Sequence, residues 1–455
     1  MSSFEKFKAL LPQIELTENK SIRHDHGVDE SFHSPKLPVG VVFPKSTEEV
    51  AEVVKAAVVT KTALIPFGAG TSLEGHIIPK GLAVSVDMSR MDRVLATNPF
   101  DLDCRVQAGI LRGELNRRIK HDGLFFPVDP GADCTIGGMV ATRASGTNSV
   151  MYGTIRENIL GLTVVTAEGK IIKTGGRARK SAAGYDLTHL YCGSEGTLGF
   201  ITEVQLRLYG LPEAAAAVRL SFDTVENSVQ TVVEAIQMGL NLSRAEFLDK
   251  TLVEATNNFA QLSLPVAPSL WVEFQGTEAS VKEQVATVLA LAEGNGCVGS
   301  ETATEQAELE NLWHARHEAL YALMALRPGT KGFITDACVP ISHLAEQISQ
   351  ANKALETSGL KGSILGHVGD GNFHTCLLVD SDNPEEIRLA ETFAEGVSQR
   401  SIACGGTCTG EHGIGSGKKK FMELEHGEGV GVMRAIKQAL DPHGIMNPGK
   451  VFSSS

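Results

Sequence analysis

The sequence lacks any apolar run as long as the roughly 18 residues that a membrane-spanning helix needs. It also lacks a basic stripe, because the formal net charge is −13 and the only dense cationic run is Lys418-Lys419-Lys420. Proteins that bind nucleic acid neutralise phosphates with such a stripe, so we expect no nucleic-acid partner. The N-terminal residues lack the charged-then-apolar order of a signal peptide.

The eight cysteines are too scattered for the disulfide framework of a small secreted protein, and they predict reduced thiols in a cytoplasmic protein. A chain of 455 residues is too long for one core, so two domains are expected. Residues up to about 212 are glycine-rich, with short β-branched runs between turns that predict strands, among them 83–87 and 201–208, and with a helix predicted over 47–59. Later residues predict longer helices separated by single strands, including one long helix over 305–326. The expected boundary is Leu211-Pro212-Glu213.

Four glycine loops stand before residue 212, at residues 66–73, 129–141, 145–153 and 193–199. The first fails the dinucleotide fingerprint G-x-G-x-x-G because Leu73 occupies the third glycine position, and it has no P-loop Gly-Lys-Ser/Thr. A Rossmann NAD site and a nucleotidase are therefore not supported. Glycines that merely serve turns are the alternative, but four such loops predict backbone wrapped closely around a large, flat, polar molecule.

A pair of histidines stands in the segment 366–374, where Asp370-Gly371 predicts a two-residue type I′ hairpin turn. In that register His367 faces His374, with Cβ atoms about 5 Å apart. Two imidazoles at this distance can bind one divalent metal, and Glu411 of a downstream Glu-His-Gly motif offers a third ligand. The alternative is a pair of histidines that is merely packed or solvated on a hairpin.

In combination, the four glycine loops resemble the FAD-binding domain of the vanillyl-alcohol oxidase / p-cresol methylhydroxylase (PCMH) superfamily. The segments Trp313-His314-Ala315-Arg316, 366–374, 411–415 and 447–450 resemble that superfamily's FAD-linked oxidase cap. The resemblance covers about residues 38–453. Within the superfamily, the segments 71–76, 126–133 and 180–185 are most similar to the cytochrome-type D-lactate dehydrogenases, with glycolate and D-2-hydroxyglutarate dehydrogenases as neighbours.

The resemblance implies an α+β fold with a two-subdomain, PCMH-type FAD-binding domain and an α+β substrate cap built on an antiparallel sheet. It implies an FAD-binding domain at 1–212, a cap carrying the substrate and metal sites at 213–420, and a C-terminal segment at 421–455 that returns to the first domain. Many relatives attach the flavin to a histidine in the first loop, where this chain has Thr71 and Ser72, so non-covalent FAD is expected. The residues expected to bind FAD are Pro66, Gly68, Ala69, Gly70, Thr71, Ser72, Pro130, Gly131, Thr135, Ile136, Gly137, Gly138, Ala141, Ser145, Gly146, Glu195, Gly199, Ile201 and Asn447.

The resemblance also implies catalytic roles in the cap. Arg316 lies one helical turn after Trp313, and a guanidinium fork beside an aromatic wall suits a small carboxylate. The alternative is a surface arginine paired with a nearby glutamate such as Glu310. One Zn or Mn ion on His367, His374 and Glu411 would lower the pKa of the substrate hydroxyl. His412 is the candidate general base.

The implied reaction is oxidation of a D-2-hydroxy acid, above all D-lactate to pyruvate. Hydride would pass to flavin N5 and electrons to a cytochrome, a quinone or an electron-transfer protein. The stretch 332–336 has no lysine for a second carboxylate, which favours a small monocarboxylate. Four alternatives stay open: a glycolate dehydrogenase flavoprotein subunit, a D-2-hydroxyglutarate dehydrogenase, an ether-lipid synthase-like transferase and a non-catalytic electron-transfer flavoprotein. Attachment at the periphery of the inner membrane and a homodimer are also left open.

Overall fold

The computed structural model describes residues 2–452 and divides the chain into two compact units. The first unit contains the residues up to 145, residues 153–211 and those from 411 onward. The second unit contains residues 146–152 and 212–410. Residues 411–420 were predicted to belong to the second domain, and they lie in the first unit. Among residues 2–452, no helix is both long and apolar enough to cross a membrane.

Strands occur in both units and are numbered in chain order. They are β1 (Leu16–Thr17), β2 (Gly40–Val42), β3 (Ala63–Phe67), β4 (Ala83–Asp87), β5 (Val94–Asn98), β6 (Asp103–Gln107), β7 (Leu124–Phe125), β8 (Ile159–Thr166), β9 (Ile171–Gly175), β10 (Gly199–Arg207), β11 (Tyr209–Gly210), β12 (Ala214–Phe222), β13 (Leu242–Leu248), β14 (Ser269–Gly276), β15 (Cys297–Ala303), β16 (Lys331–Ile334), β17 (Ala337–Cys338), β18 (Lys361–His367) and β19 (Asn372–Val379).

Helices are numbered in the same way. They are α1 (Ser3–Ala9), α2 (Lys20–Asp25), α3 (Thr47–Thr60), α4 (Arg112–Ile119), α5 (Ile136–Thr142), α6 (Ser149–Tyr152), α7 (Ile155–Asn158), α8 (Leu187–Tyr191), α9 (Val225–Gln237), α10 (Lys250–Ala260), α11 (Glu278–Gly294), α12 (Gln306–His317), α13 (Ala319–Ala325), α14 (Ile341–Ser358), α15 (Pro384–Ala403), α16 (Met422–His426) and α17 (Gly429–Leu440). Short 3-10 turns cover Pro99–Asp101, Lys120–Asp122 and Lys419–Phe421.

The first unit is built on two sheets that share one helix. The order β1-β2-β4-β3 forms one sheet, with β2 and β3 parallel to β4, and the order β5-β6-β10-β8-β9 forms an antiparallel one. Ser46 caps α3, and Val50, Val53, Val54 and Ala57 are buried along one face at helical spacing. These side chains lie in one core with side chains of both sheets. The predicted two-subdomain FAD-type architecture is confirmed here.

The second unit contains the antiparallel sheet that was predicted for the cap. Its strands follow the order β15-β12-β14-β13-β18-β19-β16, and β17 pairs with β19. The apolar side of this sheet and the helices that cover it share a core that includes Trp271, Trp313 and Leu323. The central strand β13 was not among the predicted elements. The predicted helix over 305–326 is two helices, α12 and α13, which meet at Glu318.

The hairpin register predicted from Asp370-Gly371 is wrong. His374 pairs with Leu365 rather than with His367, because a four-residue loop, Val368–Gly371, joins β18 to β19. The Asp370 amide donates to the His367 carbonyl at 3.0 Å, and only Gly371 of the two turn residues has a positive φ, +78°. A type I′ turn needs a positive φ at both positions, which Asp370 does not adopt. His367 and His374 are therefore diagonal neighbours on one face of the hairpin.

Candidate functional site

The loop after β3 presents a run of backbone donors. Within residues 2–452, no acceptor is found for the N–H groups of Gly68, Ala69, Gly70, Thr71 and Ser72. A Cβ at Gly68 would collide with Thr135 Oγ1, so the chain approaches the start of α5 as closely as only glycine allows. Consecutive N–H groups of this kind suit an anionic pyrophosphate.

The second predicted loop, residues 129–141, leads into helix α5. Its glycine N–H groups, unlike those of the first loop, already have acceptors within the protein. Thr135 caps α5, and its hydroxyl accepts the Gly138 N–H at 3.2 Å. The Gly137 N–H donates to the Ala108 carbonyl at 2.7 Å. The donors of Gly137 and Gly138 are thus satisfied inside the protein, so the first loop is the better candidate for phosphate contact.

A buried carboxylate organises the loop that follows Glu411 and His412. Glu195, in the left-handed region at φ +53°, accepts the N–H groups of Ile414 and Gly415 at 2.7 and 2.8 Å. His76 Nε2 lies 3.4 Å from the same carboxylate. Burial alone would raise the pKa of Glu195, but the His76 charge and the two backbone donors hold the pKa below its usual value. Glu195 therefore fixes the backbone next to the predicted base.

Two other residues predicted to bind the flavin, Ala141 and Asn447, contact the backbone of Glu195. The Glu195 N–H donates to the Ala141 carbonyl at 2.8 Å, and Asn447 Nδ2 donates to the Glu195 carbonyl at 2.8 Å. The Ser145 hydroxyl donates to Glu411 Oε2 at 2.9 Å, and His412 Nε2 lies 3.8 Å from Glu411 Oε1. The remaining residues are spread along the unit: Pro130 and Gly131 in a loop, Gly199 and Ile201 on β10, and Pro66 on β3. Gly146 belongs to the second unit.

The second unit brings the two predicted metal ligands together. The rings of His367 and His374 have centroids 5.5 Å apart. His374 Nδ1 lies 3.1 Å from the Thr335 carbonyl, which can only accept, so Nδ1 carries the proton. His367 Nδ1 lies 2.6 Å from Glu246 Oε1. A metal would therefore be bound through the two Nε2 atoms, and a carboxylate–histidine pair of this kind fixes the orientation of a ligand ring.

Glu246 is the residue that the sequence analysis missed. It lies on β13 opposite His367, is fully buried, and also accepts from Arg316 Nε and Nη2 at 3.1 and 2.6 Å. Burial would raise the pKa of Glu246, but the charges of His367 and Arg316 outweigh burial and lower that pKa. Arg316 is thus paired with Glu246 rather than with Glu310, and it is linked through one carboxylate to a predicted metal ligand.

Trp313 lies beside a second arginine. The guanidinium carbon of Arg244 is 4.7 Å from the Trp313 ring centroid, and Arg244 Nε donates to Asn148 Oδ1 at 2.8 Å. Neither Glu246 nor Arg244 had a sequence signal, because their partners are distant in the chain and β13 itself was not predicted. The alternation of β13 side chains would have been the only available clue.

Comparison with known families agrees with this architecture. Residues 211–451 match the family described as FAD linked oxidases, C-terminal domain, and residues 38–175 match the FAD binding domain. Over 450 residues the chain is 44% identical to a probable mitochondrial D-lactate dehydrogenase of Danio rerio, covering 98% of this chain and 90% of that protein. It is 45% identical over 441 residues to the mitochondrial D-lactate dehydrogenase (cytochrome) of Arabidopsis thaliana, covering 96% and 78%. It is 33% identical over 434 residues to the glycolate oxidase subunit GlcD of Bacillus subtilis, covering 94% and 92%.

Solved structures share the fold at lower identity. p-Cresol methylhydroxylase with bound substrate superposes with a TM-score of 0.82 at 18% identity, covering 99% of this chain and 96% of that chain. An alkyldihydroxyacetonephosphate synthase superposes with a TM-score of 0.76 at 21% identity, covering 98% and 85%. At such identities the likeness shows the fold, and it confirms the predicted PCMH-type architecture.

Proposed function

Because the chain belongs to the FAD-linked oxidase family, we propose that it oxidises D-lactate to pyruvate with bound FAD and one divalent metal ion. The observation that carries this proposal is the buried carboxylate of Glu246, which contacts both His367 and Arg316. A single buried group thus links a predicted metal ligand to the predicted carboxylate-binding cation. The names of the relatives at 44% and 45% identity support D-lactate over other 2-hydroxy acids.

The donors present fit the two cofactors. Five N–H groups after β3 offer a place for the pyrophosphate of FAD, and two histidine Nε2 atoms offer two ligands for a zinc or manganese ion. Glu411, the third predicted ligand, belongs to the first unit and stays a prediction from the sequence. When bound, FAD supplies a two-electron acceptor and the metal supplies a Lewis acid.

The protein's own groups would divide the remaining work. Arg316 would bind the substrate carboxylate, and Trp313 would form an apolar wall beside it. His412 would accept the hydroxyl proton, held in place by the loop that Glu195 anchors. The oxidation removes two electrons and two protons from D-lactate, and the electrons would leave through an external acceptor. A cytochrome is the acceptor that we propose, because the name of the Arabidopsis thaliana relative carries that word.

Anaerobic addition of D-lactate tests the proposal. The flavin absorbance of the purified protein should bleach with D-lactate and respond far less to L-lactate, glycolate or D-2-hydroxyglutarate. Faster bleaching by glycolate than by D-lactate would identify the protein as a glycolate dehydrogenase instead. Absence of bleaching with every 2-hydroxy acid would exclude a dehydrogenase and leave the transferase or electron-transfer alternatives.

The flavin is expected to be released by acid precipitation. No histidine stands among the backbone donors of the first loop, and Thr71 and Ser72 cannot form the usual histidyl bond. The yellow colour should therefore move to the supernatant, where chromatography would identify FAD. Flavin retained in the pellet after washing would contradict non-covalent binding.

Replacing Arg316 by lysine is expected to raise KM for D-lactate with little change in FAD content. Lysine keeps the charge but loses the fork, which costs on the order of 1–3 kcal/mol of binding. Arg327→Lys is a control, because Arg327 also donates two hydrogen bonds to one glutamate, Glu386, elsewhere in the unit. Steady-state kinetics of both variants checks the prediction, and an unchanged KM for Arg316→Lys would place the carboxylate elsewhere.

A further inference from the structure

Two arginines, Arg244 and Arg316, lie close to the same side of the antiparallel sheet in the second unit. Arg244 and Glu246 are two residues apart on β13, so their side chains leave the strand on the same side. Arg316 reaches Glu246 from helix α12. The two guanidinium groups differ in how many of their donors the protein already uses, and this difference indicates which of them can accept a ligand.

Arg316 already uses two of its hydrogen-bond donors within the protein. Both Nε and Nη2 donate to one oxygen of the fully buried Glu246, and the charges of the pair compensate each other. Removing Arg316 from this carboxylate to bind a substrate more closely would leave Glu246 buried with less compensation, which is costly. Arg316 can touch a substrate only with the donors that remain.

Arg244 uses far fewer of its donors. Its Nε donates to the neutral amide of Asn148, and within residues 2–452 neither Nη nitrogen makes a hydrogen bond. The nearest carboxylate, Glu273, is 3.7 Å from Nη1, and its Oε1 accepts from Ser243 and Gln275 at 3.0 and 2.9 Å. The guanidinium is thus oriented by Asn148 and by the ring of Trp313, while its fork remains available to a bidentate acceptor.

The indole of Trp313 adds a second unused donor. Its side chain is 6% exposed, and Nε1 has no hydrogen-bond partner among the described residues. The other tryptophan, Trp271, donates its Nε1 to the Ser269 hydroxyl at 2.8 Å. A buried indole N–H without an acceptor is costly in a folded protein, and a bound anion would supply the acceptor.

We infer that Arg244 and Trp313 bind the carboxylate of the 2-hydroxy acid, Arg244 through its Nη fork and Trp313 through Nε1. This inference rests on the proposed function and adds to it a residue that the sequence did not indicate. Arg316 then contributes its remaining donors to the same carboxylate, and it also acts as a positioning residue that holds Glu246 and through it His367. A small monocarboxylate fits this arrangement, since the fork and the indole N–H together satisfy one carboxylate.

The test measures carboxylate binding separately from turnover. Propionate has the carboxylate of lactate without the hydroxyl, and its dissociation constant can be read from the perturbation of the flavin spectrum. Arg244→Lys should weaken propionate binding and raise KM for D-lactate by the same factor, about 10–100-fold. Trp313→Phe, which keeps the ring under the guanidinium, should raise both by about 3–10-fold.

The controls separate this inference from the proposed function. Arg219→Lys alters a similarly buried arginine, paired with Glu301 on the same sheet, and should leave both constants unchanged. Unchanged propionate binding in Arg244→Lys, or in Trp313→Phe if the arginine variant does not fold, would overturn the inference. A wild-type protein that binds propionate but is not reduced by any 2-hydroxy acid would overturn the proposed function alone.

Discussion

Replacing His367 by alanine is expected to abolish D-lactate oxidation while leaving the flavin spectrum nearly intact. The imidazole supplies one of the two Nε2 atoms that the hairpin brings together, and it is oriented by Glu246. Even an outer partner of a metal ligand contributes roughly 10–100-fold to metal affinity, and a lost ligand should cost more. Metal content, flavin absorbance and turnover, measured on one preparation, check this expectation, and chelation of the wild type should reproduce it.

Two variants separate lost metal binding from damage to the fold. In His367→Asn the amide can still donate to Glu246 near the position of Nδ1, but the Nε2 atom is gone. The metal should therefore be lost while the ion pair between Arg316 and Glu246 is preserved. His343→Ala removes an exposed histidine of the same unit, near Glu346, and should change nothing. Fully active protein without stoichiometric metal by elemental analysis would refute the metal site.

Replacing His412 by alanine is expected to slow flavin reduction by D-lactate roughly 10²–10⁴-fold, the usual contribution of a positioned acid–base group. Metal, FAD and substrate binding should persist. Wild-type flavin reduction should also become faster with rising pH through one ionisation, because only the neutral imidazole can accept the hydroxyl proton. Stopped-flow absorbance of wild type and variant across pH measures both effects.

The competing role for His412 is that of a metal ligand, with Glu411 as the base. In that case His412→Ala would lose metal together with activity, and added metal would partly restore turnover. His426→Ala provides a control, because His426 is a more exposed histidine of the same unit that lies near Glu425. Retained metal with an unimpaired rate of flavin reduction would exclude both roles.

Local patterns in the sequence predicted most of the architecture. The apolar spacing of Val50, Val53, Val54 and Ala57 predicted α3, and the β-branched runs at 83–87 and 201–208 predicted β4 and β10. The glycine loop at 66–73 pointed to the backbone donors now seen after β3. These features depend on residues close together in the chain, for which periodicity and turn chemistry are informative.

The errors arose where the outcome depends on distant residues. The hairpin register was wrong because Asp370 does not adopt the positive φ of a type I′ turn, although the two histidines still share a face. Glu246 is separated from Arg316 and His367 by 70 and 121 residues, and a pairing over such distances leaves no periodic signal. Arg316 was expected to bind the substrate carboxylate beside Trp313, and the buried carboxylate of Glu246 next to it could be found only from the fold.

The division of the first unit by a long insertion has a consequence for its synthesis. During translation, the backbone donors of Ile414 and Gly415 that bind Glu195 are added 219 and 220 residues after it. At 5–20 residues per second this delay is roughly 10–40 s. During that time the nascent glycine-rich domain holds an acidic side chain whose eventual burial is compensated by His76 but not yet by the two backbone donors. A chain released before residue 414 would lack both of these hydrogen bonds, and we expect it to be cleaved by proteases more readily than the finished chain.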